Sequence, residues 1–370
     1  MAGIYVHVPF CKAKCTYCDF ASYPKEAGKA DAYFACLYRE MKGWREELAG
    51  KSFDTVYFGG GTPTFVAAPL IAGAMKQLRN CYRISGDAEI TIECNPGTLT
   101  AENVSVYRAA GINRYSIGLQ SGIDEQLRRL NRVHTAKDFL LACSLLKGEN
   151  LSADILIGLA GQTQDDLKKT IDLALAGGVC HVSMYALTPE PGTPVYSDYL
   201  NGLLPDGDET ADLYDFGREY LAAGGFARYE VSNFAQKGKE SRHNLNYWRR
   251  GEYIGFGVSA SSFIGERRFT NSYSVDEYMN AVIYNKRPEI FSETVSEKDA
   301  KFEFIMLGLR TAAGIDVDEF NFRFSADFDG EYRDELKKNA PYLERKGRRI
   351  AIRGEYLYTQ NQILTTFLKD

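Results

Sequence analysis

The stretch Tyr5-Val6-His7-Val8-Pro9-Phe10-Cys11-Lys12-Ala13-Lys14-Cys15-Thr16-Tyr17-Cys18 decides how this 370-residue chain is read. Its thiols are separated by three residues and then by two, so three sulfurs fall within eight residues. A thiolate is a soft ligand suited to zinc and to iron–sulfur clusters. A structural zinc takes a fourth Cys or His, usually from a second close pair. Here Cys36, Cys81, Cys94, Cys143 and Cys180 stand singly. Unliganded buried cysteines behave as small hydrophobes and have no reason to crowd into one loop. Three ligands on one loop therefore point to a cluster with one iron left open for an outside ligand.

Composition narrows the surroundings. Hydrophobic residues make up 45% and charged residues 25%, as in an ordinary globular protein. The length allows one large domain and a smaller one. A net charge of −5 argues against nucleic acid as the main partner. The basic run Arg345-Lys346-Gly347-Arg348-Arg349 reads as a solvated face. No apolar stretch is long enough to span a bilayer, which leaves at most peripheral membrane contact. Without a secretory leader pattern, the expected compartment is the cytoplasm, where eight cysteines stay reduced.

Working outward, short apolar runs alternate with amphipathic ones. Strands are expected at Ile4–Val8, Asp54–Phe58, Glu89–Cys94, Arg114–Leu119, Ala153–Leu159 and His181–Leu187. Helices are expected at Ala30–Leu48, Pro69–Arg79, Thr100–Ala110, Asp124–Leu130, Ala136–Leu146, Gln164–Ala176 and Asp208–Ala223. Such alternation implies parallel βαβ units, in a barrel or in an open doubly wound sheet. Beyond about Leu221 the pattern shifts to strands at Tyr229–Phe234, Gly255–Ile264 and Arg268–Asn271. Helices return at Glu297–Thr311, Val317–Arg323 and Tyr332–Leu343. Short strands at Ile350–Ile352 and Glu355–Tyr358 precede a last helix, Asn361–Leu368.

The chemistry-bearing residues gather where strands end. Gly59-Gly60-Gly61-Thr62-Pro63 lets the backbone come close to a ligand, or forms only a tight turn. Glu93, closing an apolar strand, needs a polar partner or a structural ion pair. Open α/β sheets and barrels both bind at such strand ends.

The cysteine spacing, followed by Asp19-Phe20, resembles the radical S-adenosylmethionine (SAM) superfamily. The resemblance implies a 4Fe–4S cluster on Cys11, Cys15 and Cys18, with SAM on the open iron. It favours a partial (β/α)6 barrel and implies SAM contacts from Gly60, Gly61, Thr62, Glu93, Gln120, Arg132, Asp154 and Ala186. Tyr17 would pack beside the adenine and Tyr5 against the methionine end. Over nearly the whole chain these motifs resemble the oxygen-independent coproporphyrinogen III oxidases and their relatives. The oxidase branch has a further cysteine two residues beyond the third ligand and a long N-terminal extension. Here Phe20 stands at that place and the cluster strand starts almost at once.

Both departures, with Arg242-His243-Asn244-Leu245-Asn246-Tyr247-Trp248 matching an HNxxYW signature, resemble the heme-chaperone (HemW-type) branch. That implies heme as cargo, contacts from His243, Tyr247 and Trp248 in an aromatic loop, heme-acceptor proteins and an electron donor. His134 and His181 lack such aromatic neighbours in the sequence. One segment dissents. Where the chaperone branch carries Gly-x-x-Ala-His-Ser, this chain has Gly257-Val258-Ser259-Ala260-Ser261-Ser262, with Ser261 at the histidine. The alternatives are a coproporphyrinogen dehydrogenase or another radical porphyrin enzyme, and a structural zinc protein. The expected organisation is a core barrel over 1–225, extension strands over 226–290, and a small helical, winged-helix-like domain over 291–370.

Overall fold

A computed structural model describes residues 2–369. Strands β1 (Ala2–Val8), β2 (Ser52–Gly60), β3 (Arg83–Cys94), β4 (Arg114–Gln120), β5 (Asn150–Ile157) and β6 (His181–Ala186) pair in parallel, in chain order. Helices α1 (Ala30–Gly43), α2 (Ala68–Cys81), α3 (Ala101–Ala110), α4 (Asp124–Arg129), α5 (Ala136–Leu145) and α6 (Gln164–Ala176) fill the crossovers, and α7 (Val195–Leu200) and α8 (Gly207–Ala223) follow β6. Right-handed crossovers between adjacent strands put every helix on one face. A doubly wound sheet needs a reversal of strand order to place helices on both. The order here runs 1-2-3-4-5-6 without reversal, so the sheet curls about its other face as a partial barrel.

Both edges are extended. Short β7 (Ala227–Arg228) and β8 (Asn233–Ala235) continue beyond β6. After α9 (Arg242–Trp248), β9 (Glu252–Phe256) pairs parallel to β1 on its other side. Antiparallel β10 (Ser261–Ile264), β11 (Arg267–Asn271) and, after α10 (Val275–Ile283), β12 (Glu289–Thr294) complete a 12-stranded sheet that does not close. Along β1, Ile4, Val6 and Val8 are fully buried against the helices, while Gly3, Tyr5 and His7 alternate toward the lumen.

A second apolar cluster gathers around Phe320 and Phe328 near the C-terminus. Here α11 (Glu297–Gly308), β13 (Ile315–Asp316), α12 (Val317–Phe324), α13 (Phe328–Glu331) and α14 (Arg333–Lys338) precede the hairpin β14 (Leu343–Lys346) and β15 (Arg349–Ile352). The basic run is the exposed tip of that hairpin, with Arg345 and Arg348 paired to Asp329 and Asp318.

Several expected elements differ. Helix α1 stops at Gly43, and Trp44 turns off to stack on Phe269 at 5.0 Å. The single strand expected over Gly255–Ile264 is two, because Gly257 (φ 102°) and Ser259 (φ 56°) are left-handed. A Cβ on Gly257 would lie 2.3 Å from the Tyr33 hydroxyl, so only glycine fits. The Tyr229–Phe234 strand is interrupted between β7 and β8. Leu343 begins a strand instead of ending a helix, and Gly354–Tyr356 is a 3-10 turn where a strand was expected. Helix α10 was missed although Val275, Tyr278, Met279, Val282 and Ile283 repeat at helical spacing, whereas exposed strand β12 carries no clear periodic signal.

One buried acid ties the extension to the barrel. Glu40 of α1 accepts hydrogen bonds from Gly257 N (2.8 Å), Asn271 Nδ2 (2.7 Å) and Tyr278 Oη (2.7 Å). Burial pushes its carboxyl up to about 7, although these donors pull the other way. Because the folded value exceeds the ordinary 4.5, the protonated form favours folding, and that contribution is lost as pH rises through about 7. Glu40→Ala is expected to cost about 3 kcal/mol by leaving buried donors unpaired. In melting experiments the gap between wild type and variant should widen from pH 8 to pH 5.5; a gap that narrows would contradict this reading of Glu40.

Candidate functional site

Strands β1 and β2 end together, with Val8 opposite Gly60. Beyond that register Gly61 N donates to Val8 O (2.9 Å) and Thr62 N to Phe10 O (2.8 Å). A Cβ on Gly61 would sit 2.8 Å from Phe10 O and 2.9 Å from Cys11 Sγ; one on Gly60 (φ 112°) would strike the His7 ring at 2.6 Å. The glycine run is therefore a close approach of two chains, beyond what a turn alone requires. The cysteine loop is moored on its other side. Thr16 N donates to Leu130 O (3.1 Å), Val195 N to Thr16 O (3.0 Å) and Asn131 Nδ2 to Lys14 O (2.8 Å).

Each thiol has a polar neighbour. Cys11 Sγ lies 3.4 Å from Thr62 Oγ1, Cys18 Sγ 3.7 Å from Ser22 Oγ, and Cys15 Sγ accepts from Arg132 Nη1 at 3.4 Å. Burial pushes the Cys11 and Cys18 thiols up. Among the described residues no three Cys, His, Asp or Glu side chains close on a single ion. A four-iron cluster takes one thiolate per iron and does not require them to.

A cavity of about 490 Å³ opens from this loop across the strand ends. Cys11, Cys15, Cys18, Tyr17, Gly60, Gly61, Thr62, Glu93, Gln120, Arg132, Asp154 and Ala186 all line it. Tyr5 does not. It points from mid-β1 into a neighbouring cavity, stacked on Tyr57 at 6.3 Å, because the strand's alternation turns it below the mouth.

The polar groups of this cavity call for a cation. Glu93 accepts from Tyr57 Oη (2.9 Å) and Gly60 N (3.0 Å), and burial, with Asp154 nearby, pushes its carboxyl up to about 7. Asp154, accepting from Ser116 Oγ at 3.1 Å, is likewise raised by burial. Arg132 donates to Gly118 O (2.8 Å), and its buried Nε has no partner. Gln120 ends β4 with left-handed backbone (φ 66°), where the register to β5 slips. Two acids short of positive charge and an arginine with an unused donor fit a zwitterionic, cationic molecule such as SAM. Cys11, Cys15 and Cys18 would hold the cluster, and Glu93 and Arg132 would take the amino and carboxylate ends. The cluster, when bound, supplies electron transfer; the chain would orient its ligand.

Sequence reasoning missed Tyr57, Arg114, Ser116, Ser183, Tyr185 and Asn244, which also line it. A signal was available. Within the apolar strands polar residues recur at every second place, as in Ser116-Gly118-Gln120, Ser152-Asp154 and His181-Ser183-Tyr185. That period marks a polar lumen.

The HNxxYW stretch is not a loop. It is α9, capped by Ser241 and by Glu89, whose carboxylate accepts from Arg242 N (3.1 Å) and His243 N (3.0 Å). His243 is 1% exposed. Its Nδ1 lies 2.8 Å from Thr55 Oγ1 and its Nε2 2.8 Å from Tyr247 Oη, so no ring nitrogen is left for iron. Burial pushes this imidazole down to about 3, hence neutral. The heme contact expected from His243 would thus have to be made without a free ring nitrogen, and Trp248 lines neither cavity. Tyr247 does line the second. His181, expected to lack aromatic company, bonds the Tyr229 hydroxyl at 2.8 Å; the partner comes from a distant segment.

That second cavity, about 910 Å³, shares Asp19, Phe20, Gly60 and Glu93 with the first. Tyr5, Tyr247, Tyr253, Phe263, Met306 and Leu307 give it an apolar body, and Arg250, Arg268 and Glu303 a charged end. Ser261 also faces it.

Residues 5–174 match the Radical SAM superfamily and residues 295–359 the HemN C-terminal domain. The fold, the cysteine loop and this match place the chain in the radical SAM class. The chain is 34% identical to heme chaperone HemW of Bacillus subtilis, over 91% of this chain and 90% of that protein. It is 32% identical to heme chaperone HemW of Lactococcus lactis, over 99% and 97% respectively. The chain belongs to the HemW family. Among solved structures, coproporphyrinogen III oxidase (HemN) of Escherichia coli shares its fold, with a TM-score of 0.87 at 22% identity, covering 100% of this chain and 90% of that one.

A carboxylate poised near 7 makes SAM binding pH-dependent. Glu93 is protonated below about 7 and then no longer attracts an ammonium group. By calorimetry on anaerobically reconstituted protein, SAM affinity should fall about ten-fold from pH 8 to pH 6. Glu93→Gln should bind weakly at both pH values; a pH-independent wild type would contradict the role given to Glu93.

Proposed function

We propose that the chain is a heme chaperone: a radical SAM protein that binds heme as cargo and passes it to acceptor proteins in the cytoplasm. The second cavity carries this reading. It suits a porphyrin, with aromatic rings to lie against the macrocycle and a polar end where Arg250 and Arg268 pair with Glu303. The names of the relatives support the same cargo. Phe20, at the place where the oxidase branch has a cysteine, adds to it. In this reading the bound cluster and SAM serve the cargo beside them, and an electron donor sets the cluster's oxidation state.

The heme contacts are reassigned accordingly: Tyr247 remains, joined by Tyr253 and Phe263. Visible titration should show saturable heme binding. Tyr253→Ala combined with Phe263→Ala should weaken it about ten-fold or more, with SAM affinity retained. Unchanged heme affinity in that variant would move the cargo elsewhere.

Ser261 offers a gain-of-function test, because it faces the cavity where chaperone-branch relatives are expected to carry histidine. Ser261→His should tighten heme and shift its absorption bands toward those of an imidazole-ligated iron. The Gly257–Ser262 segment keeps the dehydrogenase alternative in view. Anaerobic incubation with coproporphyrinogen, SAM and reductant should give no vinyl product above background; sustained product would replace the chaperone reading.

A further inference from the structure

The two cavities have a wall in common, and one short helix stands behind it. Asp19, Phe20, Gly60 and Glu93 face both spaces, and Phe20 is 65% exposed. On α9, Tyr247 lines the second cavity while Asn244, one turn earlier, lines the cofactor cavity. His243 sits between. Its Nε2 meets the Tyr247 hydroxyl and its Nδ1 meets Thr55, and its ring stacks on Tyr57 with centroids 5.1 Å apart and planes at 26°. Tyr57 then donates to Glu93 Oε1 at 2.9 Å. A continuous set of contacts therefore runs from the second cavity to the carboxylate that faces the cofactor.

The set has little freedom. Glu89 pins the first turn of α9 through two backbone amides. A Cβ on Gly3 would come within 3.2 Å of the His243 ring, so glycine there lets the imidazole lie flat between β1 and Tyr57. A neutral imidazole has one donor and one acceptor, so donation at one nitrogen requires acceptance at the other. What happens at Tyr247 is thereby felt at Thr55 and in the stack.

We propose that His243 is a positioning residue, and that through it heme in the second cavity and SAM in the cofactor cavity strengthen each other's binding. The proposal rests on the heme-chaperone reading and assigns the regulation of that site. A porphyrin lying on Tyr247 confines its hydroxyl to the His243 nitrogen. The imidazole is then held against Tyr57, whose hydroxyl stays on Glu93. SAM on Glu93 restrains the same groups from the other end. The first ligand also orders the exposed Phe20 wall that the second needs. Whichever ligand binds second gives up less conformational freedom, and the effect is reciprocal. The outcome is a protein that retains cargo best when its cofactor cavity is filled.

The test uses full-length protein with its cluster reconstituted anaerobically, and zinc protoporphyrin IX as a redox-inert porphyrin. SAM is titrated with and without saturating porphyrin, and porphyrin with and without saturating SAM. In wild type each ligand should tighten the other by the same factor, about five-fold or more. In His243→Gln and in Thr55→Val, neither of which alters a residue lining the cavities, the factor should fall toward one while both ligands still bind singly. If His243→Gln binds neither ligand, Thr55→Val decides. A wild-type factor of one, or a factor that persists in both variants, overturns the coupling alone. Failure of wild type to bind porphyrin overturns the coupling and the chaperone reading together.

Discussion

The close approach of two backbones at the ends of β1 and β2 governs the rest of the molecule. Gly61 bonds to Val8 and Thr62 to Phe10, at a separation that no Cβ on Gly61 would permit. This contact fixes where the cysteine loop leaves the sheet and brings Thr62 beside Cys11. It also aims the Gly60 amide at Glu93 from the next strand. A substitution at Gly61 would move the loop, the first thiol and the floor of the cofactor cavity together. The sequential parallel order follows from the same core, because β1 lies between β2 and β9 and is buried among its neighbours.

A lumen lined with paired polar groups carries the chemistry. Apolar side chains of each strand face the helices, leaving every second residue free to be polar. Glu93, Arg114 and Asp154 occupy such places, and Arg132 reaches in from the loop after α4, at a depth where lone charges are costly. Burial still raises the carboxyls of Glu93 and Asp154, so a cationic ligand beside them would be favoured. The second cavity has another character, with aromatic walls and a charged end. In the proposed reading, two such cavities side by side would let one chain hold a reactive cofactor beside a large planar cargo.

Much of this was legible before any coordinates. The cysteine spacing, the glycine run and Glu93 each announced a strand end with a ligand, and eleven of the residues named by resemblance, besides the thiol of Cys11, meet in one cavity. The alternation of strands and helices left barrel and doubly wound sheet equally open; only pairing order decides between them. Tyr5 lies apart from that group, in the adjoining cavity that shares Gly60 and Glu93, because spacing does not tell how deep a side chain lies below the mouth. His243 is a different case: Tyr247, which takes its Nε2, is one turn away, but Thr55, which takes Nδ1, lies nearly two hundred residues off, so the local sequence does not show that both nitrogens are used. The break at Gly257 was hidden in the same manner, since the Tyr33 hydroxyl that excludes a side chain comes from α1.

The most direct measurement is a crystal structure of the anaerobically reconstituted protein with SAM and heme both bound. The expected map has a 4Fe–4S cluster on Cys11, Cys15 and Cys18, the SAM ammonium on Glu93, and the porphyrin in the second cavity against Tyr247, Tyr253 and Phe263. A cluster completed by a fourth protein ligand, or a porphyrin held outside that cavity, would contradict it.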